Sequence, residues 1–579
     1  MDSVADLGYE PSGTPEQEAG LLAEEPFEFP EQDLNDLRAA RQRSKVICVI
    51  GGGIAGLTAA YELLDPPNHH EVVLVEASGR IGGRIRTWYR PGGVHGEFGP
   101  MRIPHNHHGT THYVKSLKLD TGVFVQSNPR AWCQVGSRIV RRSDFGLLIV
   151  GYGQDSGRPL NLKWFQAGDD PQASLSRLLQ HALGTKLDAH KNLKAPLNPI
   201  TRAFDRVSLA QFLRDVDIKP RTLGANFHVI RAHRGPGGRG EKLLTDEEWE
   251  LLSRASGARW REGISALEEH VEMYAILGDD FRIRLTAGME ALPRALDAEI
   301  GKRGGRVVLN TAVDRVFRGA GAERCLRVYG GGKEITANDG KGFDYVICAA
   351  PAAAAAQICF DPPLRPAQVE ALSGLPYQNA AKFLLHMRER IWEKPPIPIF
   401  GGASYTDQII QQCWYPSDNV QATFDGDDNL VFTQGAGSGG KGLFSTGTVQ
   451  GDPEGWRKPA ILTGAYMTGV NADRFISLSA SERQEAVLAC LHQLHPGIRD
   501  DVIDVADCAW MEQHVPGGGA WTLFDPGAHG RYQEHLGKPH PAQNPKVFFA
   551  GEHLCPLHGW MQSAIWSSLE ATMNVLAAP

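Results

Sequence analysis

An α/β fold built on a nucleotide-binding sheet is what this sequence predicts, and three observations predict it. A short apolar, β-branched run at Val46–Ile50 leads straight into Gly51-Gly52-Gly53-Ile54-Ala55-Gly56. Small apolar residues then recur at helical spacing (Leu57, Ala59, Ala60, Leu63, Leu64), before a second strand-like run at Glu71–Val75 ends on Glu76 and Ala77. Much later, at 306–309, 345–349 and 546–549, further apolar runs of strand length appear, and helix-periodic text fills the interval between.

Each part of the first unit has a physical task. A five-residue apolar run suits a parallel strand covered on both faces. Gly51 permits the tight turn, Gly53 allows backbone N–H groups to approach a pyrophosphate, and Gly56 lets the helix pack close to the strand. The N-terminus of the helix, with Ile54 and Ala55 in its first turn, offers unpaired N–H groups to phosphate. Glu76, twenty positions after Gly56, can accept hydrogen bonds from a ribose diol. A Rossmann-type dinucleotide site follows from the strand, the glycines, the helix and the acid taken together.

The residues after Glu76 choose the dinucleotide. The run at 76–87, EASGRIGGRIRT, carries Gly82 and Gly83 between Arg80, Arg84 and Arg86. Here the chain resembles the FAD-dependent amine oxidase superfamily, in which the acid is followed by R-x-G-G-R at the flavin. The resemblance implies FAD, held without a covalent bond, with Glu76, Ala77, Arg80, Gly82, Gly83 and Arg84 around it. Gly99-Pro100-Met101-Arg102 is similar to the segment by which the L-amino-acid oxidase branch grips its substrate carboxylate. A guanidinium offers a carboxylate two parallel donors, so Arg102 would fix orientation as well as add energy. His105, His107, His108 and His112 follow. No carboxylate or cysteine recurs among them at ligand spacing, so a solvated loop and helix start is expected, and no metal.

From 146 to 282 the pattern is helical, with i, i+3, i+4 apolar spacing at 175–183, 209–216 and 246–277. Arg231, Arg234 and Arg239 in this region read as charged surface. The nucleotide domain resumes at 283–360, where the turn at 286–293 resembles the family's G-M-x-x-L-P and Val313 is implied to meet adenine through its backbone. A second mixed segment, 361–539, alternates as a strand across 377–385 and places Lys382 with the family's lysine, which holds a water against the flavin. Lysine in an apolar strand is costly unless it is partnered, which favours a functional reading. Cys413-Trp414-Tyr415-Pro416 is similar to the family's Y-Y-P, so Tyr415 is implied to donate its hydroxyl to the substrate carboxylate. Trp521 and Trp510 are candidates for the pocket wall.

The C-terminal stretch, 540–579, resembles the F-A-G-E…H-G-W segment of L-amino-acid oxidases. The resemblance implies that Gly551 and Glu552 meet the cofactor, with Glu552 at its ribityl chain. It implies too that Gly559 faces the substrate amine and that Trp560, Met561 and Ala564 lie against the flavin. Gln562 stands where some relatives carry an acid. The expected fold class is therefore α/β: a discontinuous FAD-binding domain (45–105, 283–360, 540–579), a mixed-sheet substrate domain (106–145, 361–539) and a helical region (146–282). The implied reaction is oxidative deamination of an L-amino acid by O2, giving a 2-oxo acid, ammonia and hydrogen peroxide. Arg102, Lys382 and Tyr415 are its expected working residues. A 2-monooxygenase giving an amide, an amine or polyamine oxidase, and an FAD-binding scaffold without turnover are the alternatives.

Charge and cysteine usage exclude other classes. The 579 residues carry a net charge of −8, and residues 1–44 hold eleven acids and three bases, leaving 56 of each in the body. A balanced body implies no nucleic-acid partner. Residues 1–44 read as a flexible acidic extension with one short helix near 34–41 and without signal-peptide character. No apolar run reaches membrane-spanning length. Nine scattered cysteines without C-x-x-C spacing suit reduced thiols in a cytoplasmic protein, and Cys555 is not expected to bind flavin covalently. The expected assembly is a homo-oligomer, a dimer first.

Overall fold

The computed structural model describes residues 30–39, 43–66, 69–155, 157, 160, 165–166, 170–183, 202, 204–214, 244–276, 282–319, 324–420, 422–424, 430–432, 451–513 and 518–579. Helix α1 (Glu31–Ala39) comes first. The extension expected to be solvated is therefore docked over this part: Leu34 is fully buried, and Arg38 is ion-paired with Glu62 and, at 3.2 Å, with Asp65. One apolar residue and one cation suffice to seat a short amphipathic helix, a signal that acidic composition obscures.

Strand β1 (Val46–Ile50), helix α2 (Ile54–Leu63) and strand β2 (Glu71–Val75) form the predicted unit. They sit in a five-stranded sheet ordered Arg306–Val308, β2, β1, Tyr345–Cys348, Val547–Phe549, with every pairing parallel. Three distant stretches of chain thus build one sheet. Its two faces are both covered, as parallel pairing demands. Ile47 and Val49 pack beneath α2, while Val46, Cys48 and Ile50 face a second core that includes Val316, Val328 and Phe360. The strand Val313–Arg318 joins a separate four-stranded sheet rather than the nucleotide sheet.

The second body is a seven-stranded mixed sheet. Its central strands are β3 (Ala380–Met387), β4 (Gln412–Trp414) and β5 (Ala460–Thr468). All eight residues of β3 are buried, so the lysine at 382 stands in the middle of a covered sheet. The described part of the helical region includes Pro171–Leu183, Leu209–Arg214, Asp246–Ala255 and α3 (Ala266–Ile276). Asp246–Ala255 starts at a capping box between Thr245 and Glu248. Arg231, Arg234 and Arg239 lie outside the described residues. The chain closes on α4 (Met561–Ala577), which lies against α2 and supplies Ile565 and Leu569 to the same core. No disulfide joins the nine cysteines, and all but Cys359 are buried. Among the described residues no helix is long and apolar enough to cross a membrane.

Candidate active site

A cavity of about 580 Å³ opens where the parallel sheet, the mixed sheet and the helical region meet. Two helix N-termini serve this part of the molecule. That of α2 begins at Gly53 and that of α4 at Trp560, and neither has a side-chain cap. Their first N–H groups therefore have no partner within the helix. The glycine turn is built for close approach: Gly51 has φ +105°, and a Cβ on Gly56 would lie 1.9 Å from the Gly51 carbonyl. A Cβ on Gly53, by contrast, would meet nothing within 4 Å. A carboxylate, Glu76, fixes the turn by accepting from Gly52 N–H at 2.6 Å and Ser78 N–H at 2.8 Å. Gly82 N–H bonds the Gly52 carbonyl at 2.8 Å, and Thr311 N–H bonds that of Glu76 at 2.9 Å, which carries Val313 to the same corner. Open space over an uncapped helix start, beside an acid and a doubled glycine, fits a dinucleotide. These residues would hold its phosphates and ribose.

The flanking arginines have internal work. Arg80 donates to the carbonyls of Ile81, Ile85 and Gly83. Arg84 donates to Ala520 O at 3.0 Å and to Glu552 Oε1 at 2.9 Å. Thr522 N–H and hydroxyl share the same Glu552 oxygen, and Gly559 N–H donates to Oε2 at 3.2 Å. Glu552, expected at the ribityl chain, thus clamps the Gly559-Trp560 turn. Arg84 beside it offsets burial and holds its carboxyl below the ordinary range. Gln562 points away from the cavity and accepts from Thr110 N–H at 3.0 Å.

Gly99, Pro100, Met101, Arg102, Lys382, Trp521, Gly559, Trp560 and Met561 line the one cavity, so most of the predicted set converges. The Arg102 guanidinium stands 4.9 Å from the Trp414 ring and 5.9 Å from the rings of Phe124 and Trp560. Burial among these rings lowers its pKa, Nη1 is buried without a partner, and no described carboxylate pairs with it. The Lys382 ammonium donates to Gly99 O at 2.6 Å and Glu97 O at 3.2 Å, 4.7 Å from the Tyr466 ring centroid. Burial brings its pKa down to about 7, against the pull of Glu97 and with a push from Arg102.

Three residues depart from expectation. Tyr415 is not brought to Arg102: its hydroxyl sits 2.7 Å from both Ser404 Oγ and His495 Nε2, within a separate core. Alternation along β4 sends Gln412 and Trp414 into the cavity and Cys413 and Tyr415 away from it. Among the described residues, the phenols that do border the cavity are Tyr405 and Tyr466, neither of which lies in a recognisable motif. His107 is not solvated. It is 2 % exposed, set edge-on to Trp560 at 4.9 Å, and pushed down to about 3 by burial. Trp510 belongs to a small core beside Phe98 and not to the cavity wall. Among the described residues no cluster of His, Cys, Asp or Glu has the form of a metal site.

The family model described as flavin containing amine oxidoreductase matches residues 54–576. The L-amino-acid oxidase of Gloydius blomhoffii is 26% identical over 556 residues, covering 95% of this chain and 92% of that protein. That of Vipera ammodytes ammodytes is 26% identical over 555 residues, with 95% and 96% covered. Among solved structures, cyclohexylamine oxidase from Brevibacterium oxydans IH-35A superposes with a TM-score of 0.61 at 19% identity, covering 92% of this chain and 99% of that one. A putrescine oxidase bound to putrescine gives 0.59 at 16% identity, covering 92% and 98%.

Proposed function

We propose, for a chain that belongs to the flavin containing amine oxidoreductase family, oxidative deamination of an L-α-amino acid. FAD, when bound, takes up the two electrons of the Cα–H bond, and O2 carries them off as hydrogen peroxide. The imino acid is hydrolysed to a 2-oxo acid and ammonia. One observation carries the reading: Arg102 is a half-buried guanidinium on the cavity wall whose Nη1 is buried without a hydrogen-bond partner, and no described carboxylate forms an ion pair with it. A buried, unpaired cation is strongly disfavoured, and a substrate carboxylate is the partner that removes the cost. Cyclic amines and diamines carry no such group, so a site for them has no use for this arginine. The names of the 26% identical relatives agree with the reading.

In this reading Arg102 orients the carboxylate, with the Tyr466 or Tyr405 hydroxyl in reach of the same space, and Trp560 and Trp521 wall the cavity against water. Glu552 keeps the Gly559 turn in place. Lys382, held by two carbonyls, moves or holds a proton at its ammonium nitrogen. The test compares peroxide release from L-amino acids with release from the amines left by their decarboxylation. The amino acids are expected to be the better substrates by at least a hundredfold in kcat/KM, giving 2-oxo acid and ammonia. Equal turnover of the amines would overturn the reading, and an amide product would mark a 2-monooxygenase.

Lys382 yields a separate expectation. With a pKa near 7 it is charged below neutrality and loses its proton above it. The rate of the oxygen half-reaction is expected to bend near pH 7, and Lys382→Met to slow that half-reaction more than anaerobic reduction while removing the bend. Stopped-flow traces in which both halves slow alike, with the bend intact, would leave Lys382 a structural residue.

A further inference from the structure

A cavity that seats an α-carboxylate at Arg102 must also seat a side chain, and α3 supplies the groups that meet it. Three of its carboxylates line the cavity: Glu268, Glu269 and Glu272. Glu268 is committed. Its oxygens lie 2.8 and 3.0 Å from His558 Nδ1 and 3.0 Å from His529 Nε2. Those imidazoles outweigh its burial and hold it down to about 2, and Glu268 in turn raises His558. Glu269 and Glu272 share a single cation, Arg261, at 2.6 and 3.2 Å. With both carboxylates ionised, one guanidinium leaves a negative charge unbalanced.

That charge has an open acceptor. Glu269 is 1 % exposed, and its Oε2 is buried with no hydrogen-bond partner among the described residues. Burial raises Glu269 to about 7 even with Arg261 bound to its other oxygen. Other cations on the wall are in use: Arg142 pairs with Asp170 at 2.6 Å, and Arg177 and Arg282 are engaged with other residues. Trp260 and Trp521, edge to face at 6.1 Å, border the same space. Aromatic faces accept both a methylene chain and a cation.

We propose that this cavity selects L-α-amino acids whose side chain ends in a cation, ammonium or guanidinium, received by Glu269 and Glu272 while Arg102 holds the α-carboxylate. The proposal rests on the amino-acid reading above. A cationic side chain balances the charge and supplies the missing donor. A neutral one leaves both wants unmet, and an acidic one adds a third carboxylate.

The test uses the full-length, flavin-loaded protein. L-lysine or L-arginine is expected to exceed L-norleucine in kcat/KM by at least tenfold, with L-glutamate the poorest. Glu272→Gln is expected to cut the lysine-to-norleucine ratio at least tenfold, mainly through the KM for lysine. Binding to the unmodified protein gives an independent reading: 6-aminohexanoate should inhibit competitively at least tenfold more tightly than hexanoate. A preference for norleucine or phenylalanine, or equal inhibition by the two acids, would overturn the proposal. If 1,5-diaminopentane is oxidised as well as lysine, the amino-acid reading fails instead. The carboxylate pair is then judged alone, by 1,5-diaminopentane against pentylamine, and equal rates there would remove it too.

Discussion

Replacing Arg102 by methionine is expected to lower kcat/KM for a good L-amino-acid substrate by roughly 30- to 4,000-fold. Removing one partner of a desolvated charge pair costs ~2–5 kcal/mol, much of it because the other charge is left unpaired. About 1.4 kcal/mol corresponds to a decade. The upper part of the range is favoured here, because the guanidinium lies among Trp414, Phe124 and Trp560 with no described carboxylate to take over. Arg102→Lys should recover only part of the loss, since an ammonium cannot copy the two-pronged fork. The decarboxylated amine, which never makes the contact, should lose little further in the variant. Steady-state peroxide release for both compounds with both proteins is the measurement. Equal losses for amine and amino acid would mean that Arg102 supports the fold and not the substrate.

Gly56→Ala is expected to yield protein with at most a tenth of its flavin and a lowered melting temperature. Its Cβ would stand 1.9 Å from the Gly51 carbonyl and 3.3 Å from Val49 Cγ1. Helix α2 can then stay against β1 only if the backbone moves, and overpacking of this kind costs about 1–3 kcal/mol or more. The displaced groups are the same N–H donors that would face the phosphates of a bound dinucleotide. Gly53→Ala provides the contrast. With nothing within 4 Å of the new methyl group, the flavin-free protein should melt as before, while flavin affinity falls because the pyrophosphate approaches there. The ratio of flavin to protein absorbance, with thermal melts of both forms, decides it. A Gly53→Ala protein that binds flavin as tightly as the parent would mean that the phosphates lie elsewhere.

The two replacements differ in how far the sequence foretold them. Val46–Ile50, the glycines and Glu76 are local: strand pattern, turn and helix start follow one another along the chain, and each residue's task depends on its neighbours. The parallel sheet, the cavity position of Arg102 and the burial of Lys382 in a strand were therefore legible. The N-terminal helix was legible too, at 34–41 against the observed Glu31–Ala39, but its docking was not. That depends on Arg38 meeting Glu62 and Asp65.

Side-chain direction in short strands escaped the sequence for a definite reason. In β4, three residues long, adjacent positions face opposite sides, so Trp414 and Tyr415 exchange roles with a shift of a single residue. Neighbouring strands set that choice: Trp414 pairs with Thr463 of β5, and Tyr415 meets Ser404 and His495. His107 is a similar case, since a histidine-rich stretch reads as solvated until Trp560, 453 positions later in the chain, closes over it. Glu269 and Glu272 lie within the helix-periodic text at 246–277 and carry no motif of their own, and only tertiary packing places them on the wall of the cavity. By itself the sequence determined the nucleotide fold, and its contiguous motifs carried the resemblance that implied a flavin and drew attention to Arg102. The cavity phenols Tyr405 and Tyr466, the buried histidine and the carboxylates on the cavity wall were decided by tertiary structure alone, because each depends on which distant surface a side chain meets.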